Sequence, residues 1–132
     1  MPIGNAMRIA ASGMTAERFR MDVISSNIAN ANSMQVKGGP EPYRRRDVEL
    51  QGGPEGVQVM GVVQEPLEAR PFREVYDPSN PNSINGFVKY TNVEPIYEMV
   101  NMMGASRAYE ANVAAFNSAK TMMRSALSIG KV

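Results

Sequence analysis

The chain has 132 residues, 43% of them hydrophobic and 20% charged, with a formal net charge of +1, which suits one modest domain and gives no long-range field that would attract nucleic acid. It contains no histidine and no cysteine, so a metal or redox enzyme is disfavoured. No run of about 18 apolar residues predicts a membrane span, and the residues from Met1 to Asn5 lack the basic and apolar regions of a secretory signal.

The N-terminal segment, residues 1–33, predicts a long helix from about Asn5, the expected N-cap, to Asn30. Its apolar side chains recur every seven residues, with a second row between them, as in an interrupted coiled-coil stripe. The first row is Met7, Met14, Met21 and Ile28, and the second row is Ala10, Ile24 and Ala31.

The central segment, residues 34–91, holds most of the nine prolines and predicts three or four short strands. The apolar runs that indicate them are Val57–Val63, Phe72–Tyr76 and Phe87–Tyr90. Between the last two, Asp77–Asn85 is rich in proline, asparagine and serine, which specify turns and cannot continue a sheet. This stretch is predicted to be an exposed loop.

The central charges predict no catalytic site. Glu65 with Glu68, or Glu74 with Asp77, could act as an acid and base, but each pair lies among proline, arginine and turn residues. Solvated charges are therefore the favoured interpretation, and neither a catalytic residue nor a metal or cofactor site is assigned.

One basic run, Arg44–Arg46, is followed closely by Asp47 and Glu49. Charges of this kind commonly protect the edge of a sheet from unwanted pairing. Protection of an edge strand is therefore favoured over a phosphate site.

The C-terminal segment, residues 92–132, predicts a longer helix from near Asn92 to Gly130. Thr91 and Glu94 have the spacing of a capping box, and Pro95 falls in the first turn. One row with a seven-residue repeat is Met102, Tyr109, Phe116 and Met123, and the row between is Ala105, Asn112, Ala119 and Ala126.

Three asparagines lie on or beside these apolar faces. Asn112 is in mid-helix, where a polar residue can fix the register of a coiled coil. For Asn27 and Asn30, ending the helix is at least as good an interpretation as fixing its register.

The two helices would be roughly 40 and 55 Å long at about 1.5 Å per residue, which is more than a compact domain of this size needs. Stripes of alanine and methionine allow close approach and more than one packing geometry. We therefore expect the ends of the free chain to be marginal and to order on assembly, leaving a protease-resistant core of roughly residues 35–90. An ordinary intramolecular two-helix core is the alternative, and the two interpretations overlap.

The sequence Ser12–Asn32, SGMTAERFRMDVISSNIANAN, resembles the N-terminal signature of the bacterial flagellar axial proteins, the rod and hook family. At the other end, the stretches 92–100, 105–113 and 116–123 resemble the C-terminal half of that signature. The short centre with VYDPSNPN at 75–82 and GFV at 86–88 is similar to that of proximal rod subunits. The resemblance spans essentially the whole chain.

This resemblance implies an α+β fold in which long N- and C-terminal helices form an antiparallel coiled-coil hairpin beside a small β-rich central segment. It implies a structural, non-enzymatic subunit of the proximal rod, which crosses the periplasm, transmits torque and surrounds the export channel. Export would use the flagellar type III apparatus without a cleaved signal peptide. Carried over by position, the assembly interface would be Met7, Met14, Met21, Ile24, Ile28, Met102, Tyr109, Asn112, Phe116 and Met123.

The implied partners are further copies, other rod proteins, the ring and rod-base proteins and the export apparatus, with neither nucleic acid nor direct membrane insertion. A helical adaptor or export chaperone is the alternative function, and it would resist proteolysis at both ends. A wall-remodelling enzyme would require a carboxylate or serine site that the sequence does not reveal.

Overall fold

The computed structural model describes residues 2–131, so the terminal residues of the predicted segments 1–33 and 92–132, Met1 and Val132, lie outside the described residues. Two long helices flank a small β region, which confirms that part of the predicted fold. The elements in chain order are α1 (Ile3–Ala29), β1 (Arg46–Gly53), β2 (Gly56–Gln64), β3 (Arg73–Tyr76), β4 (Phe87–Tyr90) and α2 (Pro95–Ile129).

Helix α1 begins two residues before the predicted N-cap. The carbonyl oxygen of Pro2 accepts hydrogen bonds from the N–H groups of Asn5 (3.0 Å) and Ala6 (3.4 Å). Asn5 therefore lies within the first turn, where its Oδ1 accepts a hydrogen bond from Arg8 at 2.8 Å. The N-cap prediction for Asn5 is wrong because the backbone of Pro2 already starts the helix.

Helix α2 begins at Pro95 and not near Asn92. The Thr91 hydroxyl donates to the carbonyl oxygen of Tyr43 at 2.6 Å, and the Thr91 N–H donates to a carbonyl oxygen outside the helix. The hydroxyl oxygen accepts from the N–H of Val93 at 3.3 Å and not from that of Glu94, and the Thr91 N–H is already bonded to Ser33, so neither bond of a capping box with Glu94 forms. Proline in the first turn is confirmed, and it fits because it has no N–H group to leave unpaired.

Both helices end where the sequence predicts. Helix α1 stops at Ala29, and the N–H of Asn30 still donates to the carbonyl oxygen of Ser26 at 3.2 Å. Helix α2 runs to Ile129, directly before Gly130. Over the described residues, neither helix combines the length and apolar character needed to cross a membrane.

The strands form two two-stranded sheets, β1 with β2 and β3 with β4. Strands β1 and β2 are joined by the two residues Pro54 and Glu55, a connection that only antiparallel strands allow. Strands β3 and β4 are antiparallel, with Val75 opposite Val88. Val88 is fully buried.

The predicted loop Asp77–Asn85 is confirmed as a series of turns without a strand. Within it, the N–H of Asn80 donates to the carbonyl oxygen of Asp77 at 3.2 Å. The loop leads into β4 through Asn85 and Gly86, which have φ angles of 54° and 85°. Two consecutive positive φ angles are typical of a tight hairpin turn and explain why asparagine and glycine occupy it.

Replacing Gly86 by alanine is expected to lower the free energy of unfolding by about 1–2 kcal/mol, because an alanine pays the cost of the left-handed conformation. A Cβ atom at this position would also lie 2.8 Å from Cε2 of Tyr76. Urea unfolding measures the effect. The matched control is Gly52→Ala, since a Cβ atom there meets nothing within 4 Å; equal stability losses in the two variants would contradict this account.

The chain folds as two units, each built from segments that are distant in the sequence. The first contains the described residues up to Met21, Val48–Gly61 and the described residues from Met103 onward. Its buried side chains are all alanines: Ala10, Ala16, Ala105 and Ala119. Such a small core leaves much of the helical surface uncovered.

The second unit contains Asp22–Asp47 and Val62–Met102. Its buried apolar side chains are Ile24, Ala31, Pro42, Val88 and Val93, and its buried polar side chains are Asn27, Arg45, Thr91, Asn92 and Glu98. The core of this unit therefore contains about as many polar as apolar residues. Buried polar groups of this kind must be hydrogen-bonded or ion-paired to be tolerated.

Candidate functional site

A buried ionic hub, made of Asn27, Arg45 and Glu98, lies inside the second unit. Asn27 and Glu98 are 0% exposed and Arg45 is 4% exposed. The Arg45 Nε donates a hydrogen bond to Oε1 of Glu98, and Nδ2 of Asn27 donates to Oε2 of Glu98 at 3.3 Å. Both oxygens of the buried carboxylate therefore have a partner.

The Asn27 amide uses its full hydrogen-bonding capacity. Its Nδ2 also donates to the carbonyl oxygen of Arg46 at 2.8 Å. Its Oδ1 accepts from the Tyr43 hydroxyl at 2.8 Å and from the N–H of Arg46 at 3.1 Å. Two donors and two acceptors are satisfied, which is all that an asparagine side chain offers. Asn27 thus joins α1 to the start of β1.

Arg45 has further acidic neighbours and one aromatic neighbour. Its Nη1 lies 3.1 Å from Oε2 of Glu65 and 3.6 Å from Oδ2 of Asp47. Its guanidinium carbon lies 5.2 Å from the centre of the Tyr97 ring. Burial by itself lowers the pKa of Arg45, but the hydrogen bond and charge of Glu98, with the charges of Asp47 and Glu65, outweigh burial and raise that pKa above its ordinary value.

The hub corrects three interpretations of the sequence. Arg45 is not a solvated edge charge, because α2 supplies a buried partner for it. Glu65 is also not simply solvated, since it is 23% exposed and paired with Arg45. Asn27 does not end its helix, because its side chain is committed to tertiary contacts.

A sequence signal for Glu98 did exist. Position 98 lies seven residues before Ala105, on the row that continues to Asn112 and Ala119. An acidic residue on a row that faces the core indicates a buried charge, and a buried charge requires a partner. The sequence offers no means of choosing Arg45 over its two neighbouring arginines.

The first unit brings α1 against α2 and against the start of β2. A Cβ atom added to Gly13 would lie 2.7 Å from Nδ2 of Asn112, so a larger residue here would require the Asn112 side chain to move or to be replaced. The hydroxyl of Ser12 accepts a hydrogen bond from the N–H of Val57 at 3.0 Å. Gly13, which costs helix stability on its own, is therefore used for close packing between helices.

Of the residues assigned to the assembly interface, only Ile24 is buried. The half-buried members are Met7, Met14, Met21, Ile28, Met102, Tyr109, Asn112, Phe116 and Met123. The rows that contain small residues are more deeply buried than the methionine and aromatic rows, as Ala10 and Ala105 show. Part of the surface of each of these methionine and aromatic side chains is thus left open to solvent.

Among the described elements, helix α2 carries the largest number of exposed large apolar side chains. Its large apolar side chains that are more than half exposed are Ile96, Met99, Val100, Met103, Met122, Leu127 and Ile129. They fall into two groups along the helix, 96–103 and 122–129, and exposed apolar side chains grouped in this way are candidates for contact with another protein.

Two family models match the chain. Residues 7–33 match the model for the flagella basal body rod protein, and residues 84–129 match the C-terminal model of the flagellar basal body rod FlgEFG proteins. The matched ranges contain nearly all of α1 and the whole of α2. They include both Gly13 and Asn112.

Curated relatives match over almost the full length. The flagellar basal-body rod protein FlgC of Bacillus subtilis is 38% identical over 96% of this chain and 97% of its own length. FlgC of Escherichia coli O6:H1 is 39% identical, covering 99% of this chain and 100% of its own. FlgC of Aquifex aeolicus is 43% identical over 91% of each. With a likeness that spans both helices and the central strands, the chain belongs to the FlgC family of flagellar basal-body rod proteins.

Proposed function

We propose that this chain is a structural subunit of the flagellar proximal rod and enters the rod through its two terminal helices. The full-length similarity to FlgC proteins carries the first part of this proposal. The exposed apolar side chains of α2 support the second, because a rod subunit needs surfaces that neighbours can cover. An independent adaptor or export chaperone is not favoured by that similarity.

We further propose that α1 and α2 form an antiparallel coiled-coil hairpin. Each unit supplies one supporting contact, Gly13 with Asn112 in the first and Asn27 with Glu98 in the second. Asn27 follows Gly13 by two heptads in α1, whereas Glu98 precedes Asn112 by two heptads in α2. In the sequence, this spacing is the one that an antiparallel heptad repeat predicts.

We also propose that these two helices carry the assembly interface assigned from the sequence. Residues 1–33 and 92–132 would supply the helical layer, and 34–91 would supply the outer β-rich part. The half-buried methionine and aromatic positions, such as Met14 and Phe116, would be covered by neighbouring subunits. Flexible methionine suits contacts that differ between neighbours.

The partners proposed are further copies of the chain, other rod proteins and the adjoining ring and rod-base proteins of the basal body. We also propose that the chain reaches the periplasmic rod through the flagellar type III export apparatus. A heterologous interface that does not close on itself would propagate subunits along a helix.

The hairpin can be tested with engineered cysteines, since the sequence contains no natural ones. Gly13→Cys combined with Asn112→Cys is expected to form an intramolecular disulfide in isolated basal bodies, because the two side chains would be in contact. The control pair is Gly4→Cys with Asn112→Cys, as a Cβ atom at Gly4 meets nothing within 4 Å. Cross-links found only between subunits would contradict the hairpin.

A further inference from the structure

We propose that an open cavity beside Arg70 and Arg73 binds a carboxylate side chain of a neighbouring subunit. The cavity has a volume of about 390 Å³ and lies between the residues around the start of β3 and those around the start of α2. Its lining residues all belong to the second unit. That the carboxylate belongs to a neighbouring subunit rests on the proposed function, whereas binding of a carboxylate by the free chain does not.

The two arginines that line the cavity have no acidic partner. Among residues 2–131, neither Arg70 nor Arg73 forms an ion pair, whereas Arg45 in the same unit has three carboxylates around it. The Nη1 of Arg70 is also buried and has no hydrogen-bond partner among those residues. Burial removes part of the hydration of this cation and supplies no acceptor in return. Arg70 therefore gains more from a nearby anion than a fully hydrated arginine would.

Aromatic rings position both guanidinium groups. The guanidinium carbon of Arg70 lies 4.4 Å from the centre of the Tyr97 ring, and that of Arg73 lies 5.2 Å from the centre of the Tyr90 ring. Because Tyr97 belongs to α2 and Tyr90 to β4, two elements of the unit hold the two cations. A side chain that is already positioned loses little conformational entropy when it binds an anion. The planar guanidinium group also matches a carboxylate, to which it can donate two parallel hydrogen bonds.

The other lining residues indicate what accompanies the carboxylate. Pro71, Val93 and Ile96 give the cavity an apolar part, and Ile96 is 78% exposed. An acidic residue with an apolar neighbour in the partner's sequence would fit both parts of the cavity. Glu94 is the one acidic residue in the described lining. Its charge opposes an incoming carboxylate, but the two arginines leave the lining with a net positive charge.

Titration of the free full-length chain with propionate, followed by NMR of isotope-labelled protein, tests the cavity. We expect saturable shifts of the backbone N–H signals of Val93 and Ile96. Arg73→Gln is expected to weaken binding at least about tenfold, because a charge-assisted hydrogen bond is lost. Glu94→Gln is expected to tighten binding roughly two- to fivefold, because a like charge is removed. The control, Arg124→Gln, changes an exposed arginine of α2 outside the cavity and is expected to leave binding unchanged.

Two outcomes of this titration would overturn the proposal. The first is equal binding of propionate by the Arg73 and Arg124 variants, which would show that the cavity arginines do not hold the anion. The second is a set of shifts produced by inorganic phosphate but not by propionate, which would identify a phosphate site. The N–H signals far from the cavity report whether each variant is folded.

A direct cross-link identifies the partner carboxylate in isolated basal bodies. Arg73→Lys places a primary amine beside the cavity, and a water-soluble carbodiimide joins an amine to a carboxylate only when the two are in contact. Mass spectrometry is expected to find the substituted peptide joined to an aspartate or glutamate of another subunit, next to an apolar residue. A cross-link to Glu94 of the same chain, or none from the new amine, would overturn the proposal.

Basal-body incorporation separates this inference from the proposed function. A chain that enters basal bodies but binds propionate equally well as Arg73→Gln retains its rod function and disproves the carboxylate site. A chain that binds propionate through Arg73 but never enters basal bodies supports the carboxylate site and disproves the rod function.

Discussion

Replacing Arg45 by methionine is expected to lower the free energy of unfolding by about 3–5 kcal/mol, the usual cost of leaving one member of a buried ion pair without its partner. Methionine fills much of the space of the arginine stem but cannot neutralise Glu98, which is 0% exposed. Glu65 and Asp47 lose the same cation. Urea unfolding followed by circular dichroism measures the loss.

The neighbouring arginine provides the control. Arg46 is exposed, and its guanidinium carbon lies 5.4 Å from the centre of the Tyr43 ring, so Arg46→Met is expected to cost only about 0.5–1 kcal/mol. Adding Glu98→Leu to the Arg45 variant is expected to recover most of the loss, because two apolar residues can replace a buried ion pair. Equal effects at the two arginines would show that Arg45 is not the buried partner.

Replacing Phe116 by aspartate is expected to abolish motility. The phenylalanine is half-buried on α2, on the row proposed to meet neighbouring subunits. A carboxylate covered there without a partner would cost several kcal/mol at each contact. Swimming of a strain that carries only the variant chain, together with the protein content of its basal bodies, measures the effect.

The adjacent position is a matched control for that variant. Asn117 is exposed, so Asn117→Asp adds the same charge to the same turn and is expected to leave swimming intact. Hydrogen exchange measurements on the free Phe116 variant separate a failure to assemble from a failure to fold. Normal motility with Phe116→Asp would remove this residue from the assembly interface.

Periodicity and turn chemistry predicted the helices and loops because both are local. The seven-residue rows indicated α1 and α2, and Gly130 marked the end of the second helix. The proline- and asparagine-rich stretch Asp77–Asn85 could only be a loop. The helix starts were less accurate, since the carbonyl oxygen of Pro2 and the tertiary bonds of Thr91 displaced the predicted caps.

The sequence by itself determined the two helices, the small β region and the family, since these depend on residue spacing and on motifs within continuous stretches. Only the tertiary structure decided which arginine is buried, which carboxylate neutralises it and why Asn27 lies between them. These choices join residues 19 to 71 positions apart in the sequence. A charge can be buried only where the fold supplies its partner, and no local pattern contains that information.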